Sequence, residues 1–407
     1  MVFEKSGKGG RRFFCRKIMN LSTVTLSKTQ AGANNGKKQR DAGPELLRIF
    51  AMLLIIMSHL AVHGGIKYDS LSVNSAALEM MKTGDIGVDI FILISGYYSI
   101  YSSPKLKKGV MLIAETLFYS VLTCLTIGTL SQGRVSGMHL FYSFIPFISD
   151  KGNWFIVIYI IMYALMPFIN GGLNCLSKRQ FFGILMLIFI AGTILPDTFG
   201  HVDKLQDYGI SKLVWFVFMY SLGAYLRLYP VKLAKKRGLC AVLWVGSALF
   251  SMLFRYFYAV VLYNKNGQFG GIKGLIIYFF SDISRPGFMS VVFSVLSLLV
   301  FTSLKIKGNK FLFAVSGSTF GIYLIHDSTW VRRFLWDRIT PVKFVGEADY
   351  FIPAALGVIL LIFIICSAID IIRKNLIEKP LFNSSLYSKA ETGFKKLIDK
   401  TLKKVGI

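Results

Sequence analysis

Ten long apolar runs divide the chain, and their length is the feature that most limits its possible folds. An α-helix needs about 17 to 25 apolar residues to cross the core of a bilayer. Runs near this length lie at 46–63, 86–102, 109–130, 153–170, 181–196, 212–229, 239–263, 286–304, 310–328 and 350–372. Hydrophobic residues make up 54% of the 407 residues, more than a soluble domain can cover with polar surface. The sequence therefore predicts an all-α integral membrane protein with about ten transmembrane helices.

Basic residues concentrate in alternate connections between these runs. The formal net charge is +26, and Lys and Arg cluster at 105–108, 178–179, 227–237 and 305–310 and in both terminal segments. By the positive-inside rule these segments are cytoplasmic, so both termini are predicted to lie in the cytoplasm. The basic excess is then a property of cytoplasmic loops, and nucleic acid is not predicted as a partner. One connection on the opposite side departs from the rule, because it carries Arg332, Arg333 and Arg338.

The chain divides into one membrane domain and two basic ends. Residues 1–44 are rich in Gly, Lys, Arg, Ser and Asn, a composition typical of a disordered cytoplasmic tail. Residues 45–375 hold the apolar runs, and residues 376–407 are predicted to form a basic cytoplasmic C-terminal tail. The first run would serve as its own insertion signal. The five cysteines lack CxxC spacing, and neither a metal site nor a permanently bound cofactor is predicted.

The first run contains ionisable residues that its apolar character does not explain. In ELLRIFAMLLIIMSHLAVHGG, residues 45–65, Arg48 and His59 are eleven positions apart. At ~100° per residue they lie within ~20° of the same helix face, roughly 16 Å apart along the axis. Arg48 alone is typical of an interfacial anchor. A histidine at the depth of His59 usually faces a partner or a water-filled cavity, so we predict that it belongs to a site.

A second run supplies a carboxylate at the same predicted depth. In GDIGVDIFILISGYYSI, residues 84–100, Asp89 lies about one turn into the membrane, level with His59. A carboxylate there could orient the imidazole and stabilise its protonated form. An acid near a helix N-terminus is the equally ordinary alternative. Ser95 and Gly96 follow near the bilayer centre, where small residues favour close helix packing or permit a break that lines a cavity.

Further polar and aromatic residues fall mainly in the outer half of the predicted bundle. The candidates for substrate binding or site support are His63, Ser95, Asn153, Trp154, Arg285, Tyr323 and His326. Each is weak evidence alone; Trp154, for example, is typical of the aromatic belt at a membrane interface. Together with His59 they predict that the helices surround a central polar cavity whose ionisable groups lie toward the outside.

These motifs resemble the acyltransferase 3 family of ten-span membrane acyltransferases. The resemblance rests on the Arg48-x10-His59 spacing, GVDIFILISGYY, NWFIVIYIIMYALMP and FGIYLIHD, and it covers about residues 38–375. It is closest to the branch resembling the enterobacterial common antigen O-acetyltransferase. It implies a multi-pass enzyme of the bacterial inner membrane that transfers an acyl group, acetyl by analogy, from cytoplasmic acyl-CoA. The implied acceptor is a hydroxyl of a cell-surface polysaccharide or of a lipid-linked sugar.

The resemblance also implies roles for particular residues. His59 would be the catalytic base, and Arg48 would belong to the acyl-CoA end of the site. Many members carry an arginine-rich RxxR-type signature after the second span, where this chain has SPKLKKG. Lys105, Lys107 and Lys108 are therefore the candidate phosphate-facing cations, although Lys lacks the bidentate fork of Arg.

Three other functions occur among multi-span proteins with buried polar residues. A transporter or flippase of a glycan precursor would also use buried His and Asp, but it favours paired broken helices and an internal repeat, which this sequence does not show. A membrane glycan polymerase would be expected to carry a large external loop, whereas the longest predicted loop has fewer than about 25 residues. A structural or sensory protein needs no intramembrane histidine. Transport is thus the main alternative to acyl transfer.

Overall fold

A computed structural model describes most of the chain between residues 41 and 396. The described residues are 41–66, 72–102, 104–130, 135–147, 154–191, 209–264, 287–336, 348–385, 387–393 and 396. Within these ranges the regular structure is helical, and no strand occurs. The prediction of an all-α protein is confirmed for this part of the chain.

The helices are numbered here in chain order among the described residues. They are α1 Gly43–His63, α2 Val73–Met81, α3 Gly84–Ser99, α4 Leu106–Leu130, α5 Gly137–Phe144, α6 Trp154–Asn174, α7 Lys178–Phe189, α8 Gly209–Leu228, α9 Arg237–Asn264, α10 Phe288–Ser303, α11 Lys310–Gly317, α12 Thr319–His326, α13 Thr329–Phe334, α14 Phe351–Arg373 and α15 Lys379–Phe382. A π-helical segment, Lys374–Glu378, joins α14 to α15.

Five helical segments of the described chain are long and apolar enough to cross a membrane. They are α1, α4, α6, the Arg237–Phe254 part of α9, and the continuous segment Phe351–Phe382 that begins with α14. Helix α10 is apolar but shorter. The chain is therefore a helical membrane protein, whereas the number of ten spans and the side on which the termini lie remain predictions.

The predicted span 310–328 is not one continuous helix. Helices α11 and α12 are separated at Ser318, whose hydroxyl lies 2.8 Å from that of Ser367 on α14. The Gly317 carbonyl at the break accepts a hydrogen bond from Lys374 Nζ. Side chains of α14 and of the π-helical segment thus form hydrogen bonds at the break between α11 and α12. The apolar pattern of the sequence does not reveal this break, because hydropathy reports burial and not helix continuity.

Helix α3 packs between α1, α8 and α10 through close approaches of backbone to backbone. A Cβ atom at Gly96 would overlap the Tyr220 carbonyl of α8, and one at Gly223 of α8 would overlap the Leu93 carbonyl of α3. Small residues at such crossings allow membrane helices to approach closely. The interpretation of Gly96 as a packing residue is confirmed. On the α1 side, a Cβ atom at Gly87 of α3 would overlap the Ala51 carbonyl, so α3 also lies close against the helix that carries His59.

Candidate active site

Helix α12 and the residue that follows it bring ionisable groups to the C-terminal end of α1. His59 lies on α1, His326 ends α12, and Asp327 follows His326 before α13 begins. Nδ1 of His59 lies 2.9 Å from Nε2 of His326 and 3.5 Å from Oδ1 of Asp327. His326 is fully buried, whereas the side chain of His59 is 20% exposed. The pair thus has a protected member and a member that a substrate can reach.

The acceptor at the far side of His326 determines the proton positions in this pair. Nδ1 of His326 lies 2.6 Å from the Ile322 carbonyl oxygen, which can only accept a hydrogen bond, so this nitrogen carries the proton. In the neutral ring Nε2 is then the acceptor, and Nδ1 of His59 donates to it. This tautomer leaves a lone pair on Nε2 of His59. Among the described residues Nε2 of His59 has no hydrogen-bond partner.

Arg332 fixes the carboxylate that lies beside the two histidines. Its Nη2 lies 2.7 Å from Oδ1 of Asp327, its Nε donates to the same oxygen over 2.9 Å, and Nη2 donates to the Asp327 carbonyl over 3.2 Å. Asp327 is 5% exposed and the Arg332 side chain 27%, so the carboxylate is shielded from water while the guanidinium is partly open to it. A carboxylate held in this way can stabilise a positive charge that develops on His59.

The same cluster contains donor atoms of the kind that bind metal ions. Atoms of His59, His63 and Asp327 lie within 4.8 Å of one another. However, Oδ1 of Asp327 is bonded to the Arg332 guanidinium, whose positive charge opposes a cation at this place. Nδ1 of His59 is bonded to His326. Because these atoms already have hydrogen-bond partners, the cluster is better suited to proton transfer than to binding a metal.

Aromatic rings form one wall beside the histidines. Tyr323 on α12 is 6% exposed and packs edge-on against Phe155 of α6 and against His326. Phe155 stacks on Tyr159, whose hydroxyl lies 3.4 Å from that of Ser95. The Ser95 hydroxyl donates to the Phe91 carbonyl of its own helix over 2.9 Å. Ser95 therefore joins the aromatic wall and does not contact His59 in the structure.

The structure gives Asp89 a different partner from the predicted one. Oδ1 of Asp89 accepts a hydrogen bond of 2.7 Å from the indole of Trp215 on α8, and Asp89 is only 2% exposed. The carboxylate beside His59 is that of Asp327. The predicted pairing of His59 with Asp89 is therefore wrong. Gly87, two residues before Asp89, packs against the Ala51 carbonyl of α1, two turns before His59, so the predicted level is wrong as well. Helical rise also does not say toward which neighbour a helix turns a side chain.

The remaining support candidates fall into two groups. His63 lies one turn beyond His59, with ring centroids 5.5 Å apart, and belongs to the cluster. Trp154 lies apart from it, packed against Phe216 of α8, with the Lys212 ammonium 4.4 Å from its ring centroid. Asn153 and Arg285 lie outside the described residues. The structure thus brings His63, Tyr323 and His326 together with His59.

At the other end of α1, Arg48 is anchored by a buried acid. Its Nη1 donates to Oε2 of Glu45 over 2.7 Å, and the Ser316 hydroxyl donates to the same oxygen over 2.5 Å. Glu45 is 3% exposed, but the Arg48 side chain is 29% exposed. A guanidinium has five N–H donors, so this ion pair leaves donors for a further anion. Arg48 and His59 occupy opposite ends of one continuous helix, as the spacing predicts.

The lysines that follow α3 make contacts of their own at the start of α4. Lys107 Nζ donates to the Phe382 carbonyl over 3.0 Å and lies 5.6 Å from the ring centroid of Tyr387. Lys108 Nζ lies 5.9 Å from the ring centroid of Tyr163, and the backbone of Lys105 exchanges two hydrogen bonds with the Tyr163 hydroxyl. Lys107 thus binds to the segment that follows α14. Phosphate binding by Lys105, Lys107 and Lys108 stays a prediction.

Sequence reasoning did not identify the full set of residues around the site. Arg332 stands out in the sequence only as an exception to the loop charges, and the sequence alone does not mark Trp215 or Glu45 as members of a site. The spacing of Asp327 and Arg332, five residues apart across the start of a short helix, was the available signal for their ion pair. Glu45 lies three residues before Arg48, a spacing typical of a helical ion pair. Trp215 and Ser316, the partners of Asp89 and Glu45, are distant in the sequence and had no comparable signal.

The comparisons with known proteins agree with the motifs. A family model described as an acyltransferase domain matches residues 41–372, which is most of the chain and includes every residue of the cluster around His59. No curated protein and no solved structure gave a significant match. The family model indicates acyl transfer, and the geometry around His59 is the evidence for how this site could carry it out.

Proposed function

The chain belongs to the acyltransferase 3 family and is an acyltransferase, and we propose that it moves an acetyl group from cytoplasmic acetyl-CoA to a hydroxyl of an extracytoplasmic glycan. The observation that carries this proposal is the state of His59. Its Nδ1 is held by His326 beside Asp327, while Nε2 keeps a lone pair on a partly exposed ring. A positioned imidazole in this state is a general base for a hydroxyl nucleophile.

The proposed reaction is a single transfer between two substrates. The acceptor hydroxyl donates to Nε2 of His59, and its oxygen attacks the thioester carbonyl as the proton moves to the imidazole. The C–O bond forms, the C–S bond breaks, and the CoA thiolate receives the proton from His59. During this step the positive imidazole lies beside Asp327, which Arg332 keeps in place. The products are the O-acetyl glycan and CoA.

The length of α1 makes the two-sided arrangement feasible. Arg48 and His59 are separated by roughly 16 Å along the helix axis, a distance of the same order as an extended pantetheine arm. The CoA phosphates could then stay at Arg48, at the cytoplasmic end, while the thioester reaches His59. Charge-assisted contacts between a guanidinium and phosphate are among the strong hydrogen bonds in proteins.

The direct test supplies radiolabelled acetyl-CoA to one side of sealed vesicles that contain the protein and a crude envelope glycan. We expect label in the glycan and stoichiometric release of CoA thiol, both absent with His59→Gln. Transport of a glycan precursor, the alternative function, would move glycan across the vesicle membrane without releasing CoA. Glycan movement without thiol release would therefore reject acyl transfer in favour of transport.

Replacing Arg48 should separate donor binding from anchoring. We expect Arg48→Ala to raise the acetyl-CoA concentration that gives half the maximal rate by about ten- to a hundredfold. The reason is that a charge-assisted contact contributes roughly 1.5 to 3 kcal/mol. The double variant Arg48→Ala/Glu45→Gln should show the same loss as Arg48→Ala. It also removes the charge of Glu45, so an unpaired buried acid cannot be the cause of that loss. Arg179→Ala, at an exposed cation of a predicted cytoplasmic loop, is the control without effect. An unchanged acetyl-CoA dependence would leave Arg48 as an interfacial anchor.

We propose ten spans in the bacterial inner membrane, with both termini cytoplasmic. Cysteine labelling in intact spheroplasts checks this topology, in a background that carries Cys175→Ser because Cys175 is exposed. Met138→Cys lies after α4, at the predicted outer side, and should react with an impermeant maleimide. Lys236→Cys lies before α9, at the predicted inner side, and should react only after permeabilisation. Labelling of Lys236→Cys from outside would contradict the proposed topology.

A further inference from the structure

An arginine without an ionic partner lies at the C-terminal end of α8, on the side that the basic loops predict to be cytoplasmic. Arg227 is exposed and forms neither an ion pair nor a hydrogen bond with the described residues. Its guanidinium lies over the ring of Tyr97 on α3, with Cζ 5.1 Å from the ring centroid. A cation–π contact of this kind orients a guanidinium but leaves its N–H donors unused. Arg227 is therefore able to bind an anion without losing another partner.

Close packing of two backbones holds Arg227 and Tyr97 opposite each other. Gly223 lies one turn before Arg227 on α8, and a Cβ atom there would crowd the backbone nitrogen of Tyr97. On α3, Gly96 directly precedes Tyr97, and a Cβ atom there would overlap the Tyr220 carbonyl. Helices that touch in this way have little freedom to slide past each other. The guanidinium and the ring beneath it thus have a fixed place in the fold.

Arg48 of α1 reaches the same region as Arg227. The Tyr98 side chain, which is 42% exposed, lies within electrostatic range of Arg48, Arg227 and Asp41. Two guanidinium groups from two different helices therefore lie around one accessible aromatic side chain of a third helix. Guanidinium groups are well suited to phosphate, because their donors match its oxygens in pairs.

The two carboxylates of this region are occupied within the protein. Oδ1 of Asp41 accepts a hydrogen bond from the Gly43 N–H over 3.2 Å. Oε2 of Glu45 accepts from Arg48 and from the Ser316 hydroxyl. Neither acid forms an ion pair with the guanidinium on α8 in the part of the chain that the structure describes. The anion that this guanidinium is free to bind must then come from a ligand.

The two arginines lie at different depths. Helices α1 and α3 run in opposite directions, because the start of α3 meets the middle of α1 and the end of α3 meets the start of α1. Gly87 packs against the Ala51 carbonyl. From that contact, Tyr97 lies roughly 15 Å toward the cytoplasmic side, but Arg48 only roughly 5 Å. Arg227, which contacts Tyr97, is thus about 10 Å further from the active site than Arg48 along the helix axes.

Coenzyme A carries phosphate at two places that differ in the same order. Its pyrophosphate joins the pantetheine arm to the 5′ side of the adenosine. A separate phosphate is attached to the 3′ oxygen of the ribose and lies further from the thioester. With the pyrophosphate at Arg48, the 3′-phosphate comes next toward the cytoplasm, which is the direction of Arg227.

We propose that Arg227, oriented by Tyr97, binds the ribose 3′-phosphate of the acyl-CoA donor. The inference rests on the proposed function and deepens it, since it makes the 3′-phosphate a determinant of donor specificity. A thioester of phosphopantetheine without the adenosine part is then a poor donor. The assignment also supplies a guanidinium that the SPKLKKG segment lacks, where Lys107 donates to the Phe382 carbonyl.

Binding of CoA and of dephospho-CoA tests the inference without any acyl transfer. The two compounds differ only in the 3′-phosphate, and each is titrated calorimetrically into the full-length protein in phosphatidylcholine nanodiscs. We expect the intact protein to bind CoA about ten- to a hundredfold more tightly than dephospho-CoA, the effect of one charge-assisted contact. Arg227→Gln should bind both compounds with the affinity that the intact protein has for dephospho-CoA. Equal affinities of the intact protein for the two compounds would overturn the proposal.

Two further variants serve as controls for this measurement. Arg237→Gln changes an exposed arginine at the start of α9, on the same predicted side, and should keep the full preference for CoA. Arg48→Ala should weaken both compounds alike, because both carry the pyrophosphate. Unchanged binding of dephospho-CoA by Arg227→Gln shows that this variant is folded. If Arg227 instead contacts lipid phosphate, Arg227→Gln keeps the preference for CoA in phosphatidylcholine and in phosphatidylglycerol nanodiscs, which would reject the assignment.

Replacement of Tyr97 tests its positioning role. Tyr97→Phe retains the ring under the guanidinium and should keep the preference for CoA over dephospho-CoA. Tyr97→Leu removes the ring and should reduce that preference, with the binding of dephospho-CoA unchanged. The same preference in both variants would show that the ring does not orient Arg227.

Failure of this inference is distinguishable from failure of the proposed acetyl transfer. Acetyl transfer to glycan that proceeds equally well from acetyl-CoA and from acetyl-dephospho-CoA would keep the enzyme function and reject the role of Arg227. A preference for CoA that depends on Arg227, in a protein that transfers no acetyl group, would keep the 3′-phosphate site and reject the enzyme function.

Discussion

His59→Ala is expected to lower turnover by about 10² to 10⁴, the usual contribution of a positioned general base. His59→Gln should be almost as poor. Glutamine preserves the polarity and approximate size of the side chain and can keep a hydrogen bond toward His326, but it cannot accept the hydroxyl proton at neutral pH. Initial rates at saturating acetyl-CoA, normalised to the amount of protein in the membrane, measure the effect.

The alanine and glutamine variants separate chemistry from packing. A histidine needed only for packing would tolerate glutamine and would fail with alanine through loss of protein. His139→Gln serves as the control, since His139 is an exposed histidine on α5 that packs against Trp330 and has no contact with the cluster around His59. Near-normal transfer by His59→Gln, at equal protein level, would reject the catalytic assignment.

Periodicity was sufficient to find the active helix but not its neighbours. The eleven-residue spacing placed Arg48 and His59 at opposite ends of one helix, and α1 is continuous between them. Predicted depth made Asp89 a candidate partner of His59, whereas His326 and Asp327 are its partners in the structure. Depth follows from helical rise within one segment. The contact between two segments depends on how each helix is rotated and packed, which a single sequence does not encode locally.

The same limit applies to the fold. The apolar runs predicted the helices, because burial in lipid requires an apolar surface whatever the tertiary arrangement. The break at Ser318 depends on Ser367 and Lys374, which lie about 50 residues further along the chain.

A buried ion network at the end of α14 carries a large expected effect on stability. Arg373 is 7% exposed and lies 2.8 Å from carboxylate oxygens of both Glu115 on α4 and Glu378 of the π-helical segment. Its Nε donates to Oδ1 of Asp370 over 2.9 Å, and Asp370 is fully buried. Gly321 is required opposite Asp370, because a Cβ atom there would overlap the carboxylate. The network thus ties α4, α12 and α14 together.

Arg373→Met is expected to destabilise the protein by about 3 to 5 kcal/mol, because removing one member of a buried ion pair leaves the other charges uncompensated. In this case Glu115, Asp370 and Glu378 would share the single ammonium of Lys374, which lies 2.9 Å from Oδ2 of Asp370. The measurement is thermal unfolding of purified protein in detergent, followed by the loss of monodisperse material.

The double variant Arg373→Met/Glu115→Leu discriminates between charge and packing as the origin of this loss. It removes one of the unpaired acids and fills its space with hydrocarbon, and replacing a buried ion pair by apolar side chains is often neutral or stabilising. We therefore expect it to recover a substantial part of the lost stability, whereas Glu115→Leu alone should destabilise. The folded fraction of each variant should keep the acetyl-CoA dependence of the intact protein, because no residue of this network contacts Arg48 or His59. A double variant less stable than Arg373→Met would show that Glu115 contributes through packing and not through its charge.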